Sequence, residues 1–420
     1  MRRRHPGTKN APARGRGEGA PSADRRTSSG ARGGRDRKRP AGGSPANTAP
    51  TGRDGNRRPP GRGPRPAVPT PDTERATLAD VRPGRWLFTT REGAERDLLE
   101  ELSLWKRDNV ARVLGPALVL SERAPSREGR LDSTFGRQCF QVSVVARGSD
   151  SELADQLAEA FSPELTGARG WVLQAWTPDT ERGNRDAPRA HSLEGRLAER
   201  LSERAAGATR FAAKDLGPDA VPFFQVCLLG EGVAAGGVIS SNRALSLAPG
   251  GRLRAHVAGD KPSRAARKLA EAFLWLGLAP EPGDQCVDLG AAPGGWTYLL
   301  SERRAKVIAV DPGKLRPDLL ARKGVRYVGM SAFEFEPEEP VDWLLCDMAW
   351  RPTEVAKMLA RWARNRDTTM LVANFKLPMK RKAETVQEIR KILEEGGYRS
   401  VRTRQLYHDR DEITLTARVG

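Results

Sequence analysis

Residues 284–300 read DQCVDLGAAPGGWTYLL, and this stretch decides the fold. A short apolar run through Cys286 and Val287 leads into Asp288. The chain then passes through Gly290, Ala291, Ala292, Pro293, Gly294 and Gly295, and a helical pattern begins at Trp296. Strand, glycine-rich turn and helix in that order let backbone approach a ligand closely, because glycine tolerates φ > 0 and carries no side chain. The helix beyond the turn offers unpaired N–H groups. A second apolar run, KVIAVD, ends in Asp311. An acidic residue about 20 residues on suits a ribose diol at the carboxyl ends of a parallel sheet. The turn is neither GxGxxG nor a P-loop, which would need GK followed by Ser or Thr.

Outward from that stretch, residues 255–420 alternate strand and helix as a doubly wound α/β sheet does. Strands are expected at CVDL, KVIAVD, VRYVGM, VDWLLCD, TMLVANF, SVRTRQL and EITLTARV. Helices are expected at SRAARKLAEAFLWLG, GGWTYLLSER, KLRPDLLARKG, RPTEVAKMLARWARN and KAETVQEIRKILEEGG. Upstream, GRWLFTT (84–90), RVLGPALVLSE (112–122), GRQCFQVSVVARG (136–148) and GWVLQAWT (170–177) read as strands. REGAERDLLEELSLWKR, SDSELADQLAEAFS (149–162) and AHSLEGRLAERLSERAAG (190–207) read as helices. VPFFQVCLLG and VAAGGVISS read as a hairpin about Glu231–Gly232. Strands and helices without a cofactor turn suggest small α+β modules.

The 420 residues allow two or three domains. Residues 1–72 are Arg, Gly, Pro, Ser and Ala with almost no large apolar side chain, too few to offset chain entropy, so disorder is expected. Residues 1–70 hold 18 Lys/Arg and 4 Asp/Glu, which is +14 of the chain's +18 and leaves the body near neutral. Such an arm is either an electrostatic tether for RNA or a weakly selected extension. Its Pro and Gly density argues against an organelle transit helix. No apolar run reaches the ~18 residues of a membrane span, and no signal h-region follows the basic start. Cys139, Cys227, Cys286 and Cys346 are far apart, without CxxC spacing, and read as buried thiols of a cytoplasmic protein; no metal is expected.

Four further positions are candidates to carry the chemistry: Lys268 on the helix entering the domain, Asp347 ending the fourth strand, Lys376 ending the fifth, and Glu412 opening the last strand. Strand carboxyl ends are where open α/β sheets place their sites. Two lysines near two carboxylates suit removal of a proton from a weakly acidic hydroxyl. A second ammonium and partial desolvation lower the base's pKa, and the carboxylates orient it.

DLGAAPGGW, with this Lys–Asp–Lys–Glu set, resembles the FtsJ-like class of S-adenosylmethionine-dependent ribose 2′-O-methyltransferases. PSRAARK, DLGAAPGGWTY, CDM, FKLPMK and RQLYHDRDEITL are similar to the RlmM-type family, bacterial enzymes that methylate a cytidine in the peptidyl-transferase centre of 23S ribosomal RNA. The resemblance is specific over 255–420 and faint over 84–250, where SSNRALSL and GRQCF carry it. It implies a Rossmann-like methyltransferase domain with a seven-stranded, mostly parallel sheet at 255–420. Ahead of that it implies a ferredoxin-like module at 80–165 and a THUMP-like RNA-binding module at 166–250. By the same resemblance Lys376 is the general base, Asp347 and Glu412 orient it, and Lys268 positions the ribose. Ser263, Ala292, Pro293, Gly294, Gly295, Trp296, Asp311 and Asp347 would contact S-adenosylmethionine. The partner is RNA, and the protein is expected to act as a monomer. Ser331 stands where the family commonly has an acidic residue suited to the adenine, which implies weaker cofactor binding.

Three rivals differ on named residues. Amino methylation needs an Asn- or Asp-Pro-Pro-Tyr/Phe motif after the fourth strand, where this chain has Asp347-Met348-Ala349-Trp350. Methylation through a cysteine nucleophile would fall to Cys346, whose place in LLCD points inward. A non-catalytic RNA-binding assembly factor would have no need of the four charged residues. A related 2′-O-methyltransferase of another RNA, such as tRNA, differs in target alone.

Overall fold

The computed structural model describes residues 75–205, 207–216, 219–253, 255 and 264–420. The basic arm and Ser263 lie outside the described residues. The first sheet is antiparallel with order β2-β3-β1-β6. It comprises β1 (Trp86–Thr90), β2 (Ala111–Gly115), β3 (Leu118–Ser121) and β6 (Gly136–Gln141), with α1 (Glu95–Trp105) after β1. A two-residue ladder, β4 (Ser126–Arg127) with β5 (Arg130–Leu131), sits in the connection. The run 112–122 folds as the β2–β3 hairpin rather than one strand. Pro116 has no N–H to continue a ladder, and Ala117 follows at φ +60°.

The second sheet has order β7-β11-β10-β8-β9. Its strands are β7 (Val144–Arg147), β8 (Gly170–Trp176), β9 (Thr209–Arg210), β10 (Pro222–Gly230) and β11 (Val233–Ser240). α2 (Asp150–Phe161) and α3 (Glu181–Arg204) pack Leu153, Leu157, Leu193 and Leu197 against its Phe224 and Val226. The β10–β11 hairpin turns at Glu231–Gly232 as the sequence implies. α3 starts at Glu181 rather than Ala190, because Thr180 caps it by accepting from the Gly183 N–H at 2.9 Å. Only Val142 and Ser143 separate the two sheets, so the second begins upstream of the 165/166 division read from the sequence. Long-range pairing of β7 with β11 draws that strand across.

The third sheet has order β14-β13-β12-β15-β16-β18-β17. It is built from β12 (Gln285–Leu289), β13 (Lys306–Val310), β14 (Val325–Val328), β15 (Val341–Cys346), β16 (Thr368–Lys376), β17 (Tyr398–Arg404) and β18 (Glu412–Val419). All pairs are parallel except those made by β18. The strands read as nearly unbroken apolar runs because helices cover both faces. On one face Cys286, Trp343 and Leu345 meet α4 (Arg264–Leu276) and α5 (Gly295–Glu302). On the other, Val287, Leu344 and Leu371 meet α7 (Pro352–Asn365) and α8 (Lys382–Glu395). The helix expected over 314–324 shrinks to α6 (Pro317–Leu320), which tucks Leu319 beneath the glycine turn.

The first sheet's layer is not a loose appendage. Leu98 and Leu102 of α1 share one apolar cluster with Ile389 and Leu393 of α8. Lys382–Asp97 (2.9 Å) and Arg390–Asp132 (2.8 Å) ion pairs flank that contact. No helix among the described residues is long and apolar enough to cross a membrane. All four cysteines are buried and unpaired with one another.

Candidate active site

The glycine turn is tied to the end of β13. The Gly290 and Ala291 N–H groups donate to the Val310 carbonyl at 3.0 and 3.3 Å. The Ala292 N–H donates to Asp311 Oδ2 at 3.1 Å, and the Gly313 N–H to Asp311 Oδ1 at 2.6 Å. Each carboxylate oxygen keeps a further acceptor position. The Ala292–Pro293 peptide bond is cis, and the Pro293 carbonyl accepts from the Arg316 N–H at 3.3 Å. Gly294 stands ahead of α5 at φ +113°, where an added Cβ would meet Leu319 Cδ1 at 2.1 Å. Gly295 opens the helix. Trp296 turns the other way: its ring is buried against α4, and its indole N–H donates to the Ala265 carbonyl at 3.0 Å. Ser331 closes a turn of its own, its hydroxyl accepting from the Phe333 N–H at 3.3 Å.

The four charged residues converge beside this turn. Lys376 ends β16 directly across from Glu412, which opens β18. Lys268 of α4 is ion-paired with Glu412. Asp347 follows β15, and its N–H donates to the Leu289 carbonyl at 3.1 Å, beside the turn's first glycine. Burial raises the Asp347 carboxyl above the usual carboxylate range. Lys268 counters that most, Glu412 reinforces it, and Lys376 also pulls down, so the Asp347 carboxyl feels the other three side chains. Lys376 is exposed at the end of its strand.

Behind them lies a buried polar chain that sequence reasoning did not single out. Asn374 Nδ2 donates to Asp347 Oδ1 at 3.4 Å, and Thr414 Oγ1 donates to Asn374 Oδ1 at 2.9 Å. Asp409 Oδ2 accepts from the Leu406 N–H at 2.9 Å and lies 3.1 Å from Thr414 Oγ1. Burial pushes the Asp409 carboxyl up to about 8. Glu271, three residues after Lys268 on α4, accepts from the Tyr407 and His408 N–H groups at 2.6 and 3.0 Å. The β17–β18 loop that delivers Glu412 is thus clamped from two sides. The available signal was an Asn inside an apolar strand and an acidic residue on a helix's apolar face, both of which demand buried partners.

A family model described as FtsJ-like methyltransferase matches residues 262–391. The ribosomal RNA large subunit methyltransferase M of Alkalilimnicola ehrlichii is 34% identical over 370 residues, covering 82% of this chain and 97% of that protein. The protein of the same name from Halorhodospira halophila is 36% identical over 345 residues, covering 79% and 96%. This chain belongs to the ribosomal RNA large subunit methyltransferase M family. A crystal structure of TrmN from Thermus thermophilus aligns over 80% of this chain with 18% identity and a TM-score of 0.32.

The family's methyl donor is S-adenosylmethionine, and the turn fits it. Asp288 is fully buried. Its Oδ2 accepts from Thr297 Oγ1 at 2.6 Å, while Oδ1 has no partner among the described residues. Burial holds this carboxyl up at about 7, and the neighbouring Asp347 and Asp311 carboxylates add to the rise. Three carboxylates crowded round one glycine turn favour a cationic ligand, which a molecule carrying a sulfonium and an ammonium satisfies. Among the described residues no group of His, Cys, Asp and Glu is arranged to hold a metal. Cys346 faces the interior, and burial pushes its thiol up to about 12, the opposite of what a nucleophilic thiolate needs.

Proposed function

We propose that the protein methylates the 2′-hydroxyl of a ribose in large-subunit ribosomal RNA. By its resemblance to RlmM-type enzymes, the target is a cytidine. The observation that carries this reading is the meeting of Lys268, Asp347, Lys376 and Glu412 at the strand ends beside the glycine turn. Bound S-adenosylmethionine supplies an electrophilic methyl group. Asp311 and the turn residues Ala292, Pro293, Gly294 and Gly295 hold it, with Ser263 and Asp347; Trp296 supports the turn from the core side. Lys376 takes the proton of the 2′-hydroxyl as general base. Lys268 orients the ribose. Glu412 fixes Lys268, and Asp347 faces both lysines. Holding hydroxyl and methyl in line contributes several kcal/mol in such displacements.

The first two sheets serve this reading as ferredoxin-like and THUMP-like modules that present the RNA, and the basic arm adds non-specific affinity for phosphates. The protein would act in the cytoplasm as a monomer. Mass-spectrometric mapping of ribose methylation on large-subunit RNA, from cells with and without the gene, tests the proposal. Loss of one 2′-O-methylcytidine near the peptidyl-transferase centre is expected. An unchanged map, together with full rescue of the deletion by Lys376→Ala, would leave a non-catalytic assembly role instead.

A further inference from the structure

A cavity of about 820 Å³ opens between the second sheet and the methyltransferase domain. That is within the size range of small-ligand sites. Its walls come from β8, from the segment 210–214 after α3, from residues 244–249, from the C-terminal end of α4, and from β17. Four cations line it, Arg130, Arg210, Lys214 and Arg402, against one carboxylate, Glu194. Glu194 is already engaged by Arg210 at 2.8 Å and by the Ala175 N–H at 3.0 Å.

Two of the lining residues each carry a buried polar atom that lacks a partner among the described residues. Gln174 is only 5% exposed, and its Nε2 donates to the Leu247 carbonyl, but its Oε1 is unpaired. The Trp275 indole N–H is unpaired as well. Arg402 lies over the Trp275 ring, 4.8 Å from its centroid. Arg402 is held below the ordinary arginine range by burial first and by the neighbouring Arg130 second, a repulsion that an anion between them would relieve. The half-buried Phe211 adds an aromatic wall. Buried acceptors and donors are rarely left open.

We propose that this cavity seats one unpaired nucleotide of the RNA. Its phosphate lies among Arg130, Arg210, Lys214 and Arg402, its base lies beside Phe211, and the base edge bonds Gln174 Oε1 and the Trp275 N–H. The inference rests on the reading of RNA as substrate. Excess cations suit phosphate, a paired donor and acceptor suit a base edge, and aromatic walls suit stacking in single-stranded recognition. An apolar peptide would leave the same cations and polar atoms unmatched. Trp275 stands seven residues beyond Lys268 on α4, roughly 10 Å along the helix axis. The seated nucleotide therefore lies within a short stretch of strand from the ribose being methylated, and reading it would set which ribose reaches Lys376.

The test uses the full chain and a single-stranded RNA of about 12 nucleotides carrying 4-thiouridine. Photo-crosslinks mapped by mass spectrometry are expected on the peptides bearing Phe211 or Trp275. By fluorescence anisotropy, the double variant Arg130→Glu/Lys214→Glu, at two exposed positions, is expected to weaken affinity at least tenfold. It should also reduce the salt slope by about one to two. Gln174→Leu should weaken affinity several-fold without changing that slope. Lys323→Glu, near β14 at the opposite edge of the sheet, should bind as wild type does. Crosslinks confined to other surfaces, with wild-type affinity in the double variant, overturn the proposal. Methyl transfer from labelled S-adenosylmethionine is read in parallel. Transfer without cavity crosslinks overturns this inference alone. Cavity crosslinks without transfer support it and remove the methyltransferase reading.

Discussion

Lys376 and Asp409 differ in how much of their role the sequence carried. Lys376 ends an apolar strand at a place where α/β sheets concentrate chemistry, so its candidacy was legible from position alone. Replacing it by Ala removes the amine that would take the proton. Turnover is expected to fall on the order of 10²–10⁴-fold, as for loss of a general base. Cofactor affinity measured by calorimetry should stay near wild type; if it is lost instead, Lys376 is a structural residue. Asp409 gave no such signal, because in RQLYHDRDEITL it is one of several polar loop residues. Only folding buries it under α4 and β18. Its carboxyl, ordinarily near 3.8, is pushed up to about 8 in the folded protein, so the native state holds the proton more tightly than the unfolded chain. Stability from this group is therefore complete below about pH 4 and is lost as pH rises towards 8. Asp288, raised to about 7, acts in the same sense. Asp409→Asn keeps the acceptor for the Leu406 N–H. It should flatten part of the fall in thermal midpoint between pH 5 and 8; an unaltered slope would mean that Asp409 does not titrate there.

At the scale of elements, the glycine turn was the most readable feature, since its backbone demands are local. Gly294 sits at φ +113° with Leu319 against the space a Cβ would fill. Gly294→Ala must strain the turn or displace α6. S-adenosylmethionine affinity is expected to drop tenfold or more, about 1.4 kcal/mol, with most of the fold retained by circular dichroism. Wild-type affinity would show that the turn yields without consequence. The α1–α8 contact was not readable in this way. An amphipathic helix announces that it has an apolar face but does not name the surface that covers it. Leu102→Ala empties a fully buried position in the shared cluster. It should cost about 2–5 kcal/mol. If it lowers a single melting transition common to both layers, the first sheet and the methyltransferase domain unfold together; two separated transitions would argue that they are independent.

At the scale of the whole molecule, the positive charge is concentrated in residues 1–70 and the body is near neutral. Deleting residues 1–72 should weaken RNA binding and reduce its salt slope while leaving the thermal midpoint unchanged, because neutralised phosphates release counterions in proportion to the cations supplied. An unchanged slope would make the arm a passive extension. The N-terminal layers also reach the end of β17 and the β17–β18 loop. Arg91 donates to the Asp409 carbonyl at 3.0 Å, the Arg137 guanidinium lies 5.3 Å from the Tyr407 ring centroid, and Arg404 donates to the Leu245 carbonyl at 2.9 Å. These contacts join residues far apart in the sequence, so no periodicity or motif announces them. By itself the sequence determined what is local: the strand–turn–helix around Asp288, the order of the α/β elements, the buried cysteines, and the four charged residues with their places at element ends. Backbone sterics and side-chain period act over a few residues and are written in the chain directly. Tertiary structure alone decided where the first two sheets divide, that α1 completes the core of the catalytic domain, and that Glu271, Asn374 and Asp409 lie behind the site. Burial and hydrogen-bond partnership are properties of what surrounds a residue, and its surroundings exist only once distant segments have packed.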